Sequence, residues 1–249
     1  MRSEPGCRST SSARFYVLLK CIEPTGMANL VGLALKEQEQ RRLLKRASTD
    51  LWWLATEVCE RTLLSPEFHR PMMDDMDFKR KRRAAGKYLK NEGEMWGRDY
   101  YKTTVREVQA VQDFLIDPAT TATWWHAIED KAKDAVSNVG RYFQENAFIR
   151  RLRPEMMPAK QDKRWNSGTG FKFAACKGRD PSMRGYGAGS ESTGGHSHYG
   201  FLDDIIGLND IEDSLMPKKK RWYGQTVRNV VRTGIGVIRM TGTHWDVAD

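Results

Sequence analysis

Strand-like and helical patterns alternate through the middle of the chain, and this alternation restricts the fold more than any other feature. A short strand is predicted at 94–96, and the helix that follows it stops at Asp117-Pro118. Residues 121–126 are β-branched and aromatic, which favours a second strand, and 128–143 have the pattern of an amphipathic helix. The order strand, helix, strand, helix predicts a mainly parallel sheet with helices on both faces.

Two adjacent carboxylates, Asp203 and Asp204, lie in a short apolar run at 199–206. The run is too short for a buried helix and suits a buried strand. The pair would then lie at the carboxyl end of the strand, where open α/β sheets bind ligands. In nucleoside triphosphatases, one acid in this place holds Mg²⁺ on the phosphates and a neighbour polarises the attacking water. A solvated turn after a core strand is the alternative interpretation.

Lys102 and Thr103 stand at the beginning of the helix that follows the predicted strand 94–96, as in a phosphate-binding loop. In such a loop, backbone N–H groups bind the phosphates, the lysine reaches the β- and γ-phosphates, and the hydroxyl ligates Mg²⁺. The usual G-x-x-x-x-G-K-[ST] pattern is broken, because Trp96 and Tyr101 occupy the two glycine positions and Gly97 comes one place late. An ordinary helix start that happens to contain Lys-Thr is the alternative interpretation.

Residues 171–176 alternate like a strand, and glycine then becomes dense from 178 to 200. One interpretation of the glycine-rich stretch is a flexible connection. The other is a loop that brings Arg179 or Arg184 towards bound phosphate. A helix at 216–234 and a strand at 236–240 are predicted after it, and that strand would again present its carboxyl end to a ligand.

The charge balance favours contact with a polyanion. The formal net charge is +9 over 249 residues, and the densest positive run is 79–83. This run is interpreted as a solvated face or loop, or as a contact for nucleic-acid phosphates. The four cysteines show no metal-ligand spacing, which predicts free thiols in an intracellular setting. The composition is that of a soluble globular protein without an apolar run long enough to span a membrane.

The amino-terminal part is predicted to be separate from the sheet. Residues 1–26 are expected to form a poorly ordered leader, with Met27 as a more natural start than Met1. Residues 27–90 are predicted to be helical, including a core-facing helix at 51–64 that follows the capping segment Ser48-Thr49-Asp50. His69 is interpreted as structural more than catalytic.

In this order the motifs resemble the ATPase part of the large terminase subunit of tailed bacteriophages. Members commonly carry a phosphate loop of the form P-R-G-x-x-K-T/S, and the segment Gly97, Arg98, Asp99, Tyr100, Tyr101, Lys102, Thr103, Thr104 is similar to it. A family segment that runs from Thr-Gly-x-His to two acids resembles 193–204. The family's coupling motif, a strand ending in Gly-Thr-Arg-Trp-His, is similar to Gly242-Thr243-His244-Trp245. The resemblance covers 49–249.

The resemblance implies a P-loop NTPase-type three-layer fold, preceded by a helical segment, with 91–249 as the ATPase core. It implies ATP and Mg²⁺ as cofactors. Lys102 would hold the β- and γ-phosphates, Thr103 and Asp203 would share the Mg²⁺ shell, and Asp204 would orient or deprotonate water. Asp204 is one methylene shorter than the glutamate that the family often has. Arg98 would sense or stabilise the γ-phosphate.

Partners and assembly also follow from the resemblance. It implies a motor that packages double-stranded DNA into proheads in the host cytoplasm, with the portal protein and the small terminase subunit as partners. It implies a ring of subunits in which Arg179 or Arg184 acts across subunits. Gly242, Thr243 and His244 would couple nucleotide state to DNA movement, and a nuclease domain would be expected to follow. The alternatives are a binding or assembly module that keeps the fold without turnover, and a helicase-type ATPase.

Overall fold

The computed structural model of the protein describes residues 24–87, 90–157, 170–176, 178–190, 195–207 and 215–243. The chain divides into two compact units, 1–43 and 44–249. The predicted leader lies outside the described residues except for its last three positions, which belong to the first helix. The predicted helices that precede the sheet, apart from the first, lie in the same compact unit as the sheet.

The first helices are built around a side-chain cap. Helix α1 covers Pro24–Thr49, and the Asp50 carboxylate accepts a hydrogen bond from the backbone N–H of Trp53 at 2.8 Å. Helix α2 covers Leu51–Trp53 and widens into a π-helical turn, Leu54–Val58. The prediction that this helix continues to Leu64 is wrong. It ends early because Glu60 takes a left-handed conformation with φ of 55°.

The basic run at 79–83 lies in a helix, α3, which covers His69–Ala84. Only part of the run is a solvated face. Lys81 and Arg82 are exposed, whereas Arg80 pairs with Asp77 and Arg83 pairs with the buried Glu92. Lys79 also pairs with Glu94, so three of the five positive charges of the run are paired with carboxylates of the protein.

Six strands form one sheet with the order β1-β6-β5-β2-β4-β3. All neighbouring strands are parallel except β3 and β4. This mainly parallel sheet between helices confirms the predicted α/β class of P-loop NTPase type. The strands are β1 (Asn91–Trp96), β2 (Ala122–His126), β3 (Gly170–Phe171), β4 (Met183–Gly187), β5 (Tyr199–Asp203) and β6 (Val237–Thr243).

Helices cover both faces of the sheet and give three layers. On one face lie α4 (Lys102–Ile116) and α5 (Glu129–Glu145), which meet through the rings of Phe114 and Phe143 at 6.1 Å. A short helix, α6 (Ala147–Leu152), and a 3-10 turn, Pro154–Met156, follow α5. On the other face, Trp125 and Leu202 pack against Trp222 and Val227. That layer consists of α7 (Met216–Trp222), a π-helical turn (Tyr223–Val227) and α8 (Arg228–Val230).

Two expectations for the region between β2 and β5 are wrong. The glycine-dense stretch is not only a connection, because it contains β4 beside β2 in the sheet. Gly185 is needed there, since a Cβ atom would lie 2.8 Å from the carbonyl oxygen of Ala132 in α5. The predicted strand at 171–176 is reduced to Gly170–Phe171.

Among the described residues, no helix is both long and apolar enough to cross a bilayer.

Candidate functional site

Three neighbouring strand ends bring the predicted site residues to one edge of the sheet. In the sheet β6 lies between β1 and β5, with Trp96 opposite Thr243 and Asp203 opposite Thr241. The loop 97–101 leaves β1 at this edge and enters α4 at Lys102. Because the strands are parallel, all three carboxyl ends point towards the start of α4.

Lys102 lies between an acid from β5 and a hydroxyl from β6. Its Nζ is 3.0 Å from Asp204 Oδ2 and also donates to Thr243 Oγ1. The Thr243 hydroxyl in turn donates to Asp204 Oδ1 at 2.9 Å. The three side chains therefore form a closed triangle in which the lysine charge is balanced by the carboxylate.

Thr103 and Asp203 form a second pair beside this triangle. Thr103 Oγ1 donates to Asp203 Oδ2 at 2.7 Å, and Asp203 is only 1% exposed. Burial raises the pKa of Asp203 to about 6, while the Thr103 hydroxyl acts in the opposite direction. In the part of the chain that the structure describes, Asp203 Oδ1 is buried and has no hydrogen-bond partner.

The unpartnered Oδ1 atom of Asp203 shows whether the site has a donor that suits Mg²⁺. Mg²⁺ prefers oxygen ligands and is held by one or two carboxylates together with phosphates and water. Asp203 offers a carboxylate and Thr103 a hydroxyl, so the donor set fits. Over the described ranges, no group of three or more His, Cys, Asp or Glu side chains could hold a metal ion, so the remaining ligands would have to come from a nucleotide and from water.

The loop reaches its conformation without the usual glycines. Asp99 and Tyr101 have φ of 64° and 49°, in the left-handed region that costs a non-glycine residue about 1–2 kcal/mol. Tyr101 occupies the position of the second glycine in the usual G-x-x-x-x-G-K-[ST] pattern. It adopts the left-handed conformation for which glycine is the usual residue. A Cβ atom on Gly97 would lie 2.7 Å from the exposed Tyr100 ring, so this ring would have to move to accommodate any other residue. Arg98, Asp99, Tyr100 and Tyr101 are exposed, and Thr104 is half-buried.

The turn after β5 fixes the position of Asp204. Its backbone N–H donates to the Thr241 carbonyl at 2.9 Å, and its own carbonyl accepts from Ala127 at 3.3 Å. Asp204 also has a left-handed φ, of 42°. His126 ends the neighbouring strand opposite Asp203, and burial lowers the pKa of its imidazole. The sequence did not single out His126, although its place at a strand end is a usable signal.

Behind the site, Arg106 ties α4 to two strands. It is 1% exposed, donates from Nε to Thr241 Oγ1 at 2.7 Å, and pairs with Glu94 Oε2 at 3.1 Å. Burial lowers the pKa of Arg106 to about 10. Arg106 lies one helical turn after Lys102, so it holds the start of α4 on β6 and β1. Sequence reasoning missed it, because nothing local distinguishes it from an exposed helical arginine.

The two arginines proposed to act across subunits have different positions. Arg184 lies in β4, 8% exposed, with Nε 3.3 Å from Thr123 Oγ1 and its guanidinium near the Tyr186 ring. The expectation that a loop brings Arg184 towards bound phosphate is therefore wrong, because Arg184 lies in a strand and its side chain is buried. Arg179 is exposed before β4, and its role stays a prediction. His244 lies outside the described residues, whereas Gly242 lies beside Met95.

Two cavities lie near the loop. A cavity of about 250 Å³ is lined by Leu63, Leu64, Tyr101 and Thr104 together with Glu60 and Arg61. A larger one of about 620 Å³ also touches Glu60 and Arg61 and extends along α5. Cys59 lines it, and burial raises the pKa of this thiol to about 12, so the thiol stays protonated. The smaller cavity therefore borders the last residue of the loop, Tyr101, and the first turn of α4 at Thr104.

A basic surface covers the layer on the other face. Residues 216–236 contain six basic side chains and no acidic one. Lys219 donates to the carbonyl of Ile205, just after Asp204, and so fixes α7 to the end of β5. The exposed members, called here the basic helix surface, are Lys218, Lys220, Arg221, Arg228 and Arg232.

No protein-family model and no curated protein matches the chain. Among solved structures, the chain is similar to an arginine-to-alanine mutant of the ATPase domain of the large terminase of Thermus phage P74-26. The TM-score is 0.36 at 15% sequence identity, and the match covers 67% of this chain and 65% of that chain. The chain thus spans about two thirds of the length of the structure that it matches. The similarity is a distant one of fold.

Proposed function

We propose that the protein binds and hydrolyses ATP with Mg²⁺ at the carboxyl edge of β1, β6 and β5. One observation carries the proposal. Lys102, at the start of α4, contacts Asp204 and Thr243, while the next side chain, Thr103, contacts the buried Asp203. This arrangement of residues from three separate parts of the chain supports a phosphate site, a metal-binding pair and a base for water.

Each side chain has a distinct task. Lys102 and the N–H groups at the start of α4 bind the β- and γ-phosphates. Thr103 and Asp203 provide oxygen ligands for Mg²⁺, which when bound neutralises negative charge on the phosphates. Asp204 orients a water molecule or accepts its proton. Arg98 lies in the exposed loop and, on the sequence resemblance, is proposed to sense or stabilise the γ-phosphate.

We further propose that hydrolysis drives the movement of double-stranded DNA, as in a terminase-type packaging motor. The sequence resemblance supports this, and the basic helix surface suits a phosphate backbone. Thr243 contacts both Lys102 and Asp204, so a change at the phosphates alters the end of β6. The portal protein, the small terminase subunit and a ring of subunits are proposed as partners on the same resemblance, with the host cytoplasm as the place of action.

The test compares Lys102→Ala with Lys131→Ala, which removes an exposed lysine from α5. Purified protein is assayed for phosphate release with and without Mg²⁺. Wild type and Lys131→Ala are expected to hydrolyse ATP only with Mg²⁺, and Lys102→Ala is expected to lose at least about 100-fold, the scale for removing a group that stabilises transition-state charge. Equal turnover in both variants would contradict the phosphate-loop assignment.

A binding module without turnover is the second candidate. The Lys102–Asp204 contact supports it, because a paired carboxylate is a poorer base for water. This candidate predicts that wild type binds Mg-ATP through Lys102 but releases no phosphate, with or without double-stranded DNA. Measuring binding and hydrolysis on the same samples separates the two functions. A helicase-type ATPase would in addition separate DNA strands in the presence of ATP.

A further inference from the structure

We propose that His69 is a positioning residue that holds the phosphate-binding loop, residues 97–101, in its nucleotide-binding conformation. The proposal rests on the function proposed above for this loop. His69 is the first residue of α3 and is 5% exposed. It lies far from the loop in the sequence, and its ring joins a turn before α3 to the loop backbone.

The hydrogen bonds of the ring determine its tautomer. His69 Nδ1 lies 2.9 Å from the backbone nitrogen of Ser65, whose N–H has to donate, so Nδ1 is the acceptor. Its distance to the Ser65 carbonyl is longer, at 3.3 Å. The ring proton is then on Nε2, which donates to the carbonyl oxygen of Tyr100 at 3.2 Å. His69 thus presents an acceptor towards the turn and a donor towards the loop.

Aromatic packing brings His69 and its neighbour against the loop. The His69 ring is 6.1 Å from the Tyr101 ring and 6.4 Å from the Trp96 ring, measured between centroids. Phe68 lies 5.1 Å from Tyr100 by the same measure. Two consecutive residues thus contact the last residue of β1 and the last two residues of the loop.

The loop needs this support because two of its residues are conformationally strained. Asp99 and Tyr101 both have left-handed φ angles, and such residues keep that conformation where their surroundings impose it. The Tyr100 carbonyl that His69 binds lies between them, so the hydrogen bond restrains the peptide that joins Tyr100 to Tyr101. The same restraint sets the direction of the N–H groups that would face a phosphate.

Two substitutions separate the two hydrogen bonds. In His69→Gln the amide nitrogen lies near the place of Nε2 and keeps a donor for Tyr100. In His69→Asn the amide oxygen lies near the place of Nδ1 and keeps only the acceptor for Ser65. His198→Asn, at the opposite edge of the sheet, is the control for loss of a histidine that accepts a backbone N–H. Affinity is measured by titration with a fluorescent ATP analogue and Mg²⁺, and turnover by phosphate release.

We expect His69→Gln and His198→Asn to bind within about threefold of wild type. His69→Asn is expected to bind at least about tenfold more weakly, with a smaller change in turnover at saturation. A residue that only stabilises the turn before α3 would give the opposite order, with the Asn variant closer to wild type. That order, or equal affinity in both variants, would overturn the proposal.

Hydrogen exchange of the loop amides provides a readout that needs no nucleotide. Exchange at 98–101 is expected to be faster in His69→Asn than in wild type and His69→Gln. If wild type fails to bind ATP while this exchange pattern is observed, the proposed function fails and the positioning role stands. If wild type binds ATP through Lys102 while exchange and affinity are the same in all variants, only the positioning role is overturned.

Discussion

Lys102 Nζ and Asp204 Oδ2 lie 3.0 Å apart, so a phosphate bound by Lys102 would compete with this ion pair. Asp204→Asn removes the competing charge but keeps the shape and an acceptor for Thr243. We therefore expect this variant to bind an ATP analogue about fivefold more tightly, the effect of ~1 kcal/mol for a half-buried ion pair, and to lose hydrolysis. Calorimetric titration measures the affinity.

Asp130→Asn, an exposed position on α5, is the matched control and should bind like wild type. Weaker binding by Asp204→Asn would mean that Asp204 contributes to holding the nucleotide or its metal. That result would contradict the assignment of Asp204 to water and of Asp203 to the metal.

Substitutions of Thr103 test whether Thr103 and Asp203 together bind Mg²⁺. Thr103→Val keeps the shape of the side chain but removes the hydroxyl that contacts Asp203, whereas Thr103→Ser keeps the hydroxyl. The Val variant is expected to need at least about tenfold more Mg²⁺ for half-maximal ATP binding, and the Ser variant about as much as wild type. Mg²⁺ titrations at fixed nucleotide measure this. The hydroxyl has no role at the metal if both variants follow the wild-type curve.

The strand ends were predictable because each follows a pattern that acts locally. The apolar run at 199–206 contains two acids after Leu202, and 121–126 is β-branched and aromatic and ends in a histidine. Both are therefore recognisable as strands with polar groups at their ends. The order of the helices and strands then sufficed for the mainly parallel sheet. Lys102, Asp203 and Thr243 meet at one edge because of that topology.

The parts that were missed depend on contacts between distant segments. The strand β4 contains Gly185. In the sequence a glycine indicates a loop, whereas in the structure it allows α5 to approach the strand closely. The loop is supported by His69, whose partner Tyr100 is 31 residues away in the chain. Arg106 and Arg239 are buried among Glu94, Asp113 and Glu92, and no local pattern distinguishes such arginines from exposed ones.

We propose that double-stranded DNA binds at the basic helix surface. We expect the double variant Lys220→Ala with Arg221→Ala to weaken binding of double-stranded DNA and to reduce the slope of log affinity against log salt by about 2. The control is Lys81→Ala with Arg82→Ala, which removes the same charge from α3. Fluorescence anisotropy at several salt concentrations measures both. Equal losses in the two double variants would indicate an effect of net charge and not of this surface.

Glu107 predicts a pH dependence of stability. It is 3% exposed, accepts a hydrogen bond from Asn138 at 2.8 Å and lies 3.8 Å from Arg61. Burial raises the pKa of Glu107 from an ordinary 4.5 to about 7, in spite of these partners. Between these two values the folded protein binds more protons than the unfolded chain, so the Glu107 contribution to the free energy of unfolding decreases as pH rises from about 4.5 to about 7.

Glu107→Gln cannot ionise and should not show this decrease. Relative to wild type, we expect the variant to gain stability as pH rises, by on the order of 3 kcal/mol in total above pH 7. Urea unfolding at pH 5, 6, 7 and 8 measures the difference in the free energy of unfolding between the two proteins. Glu57→Gln, which makes the same change at an exposed position, is the control. A pH-independent difference for Glu107→Gln would show that Glu107 is ionised in the folded protein throughout this range, held in that form by Arg61.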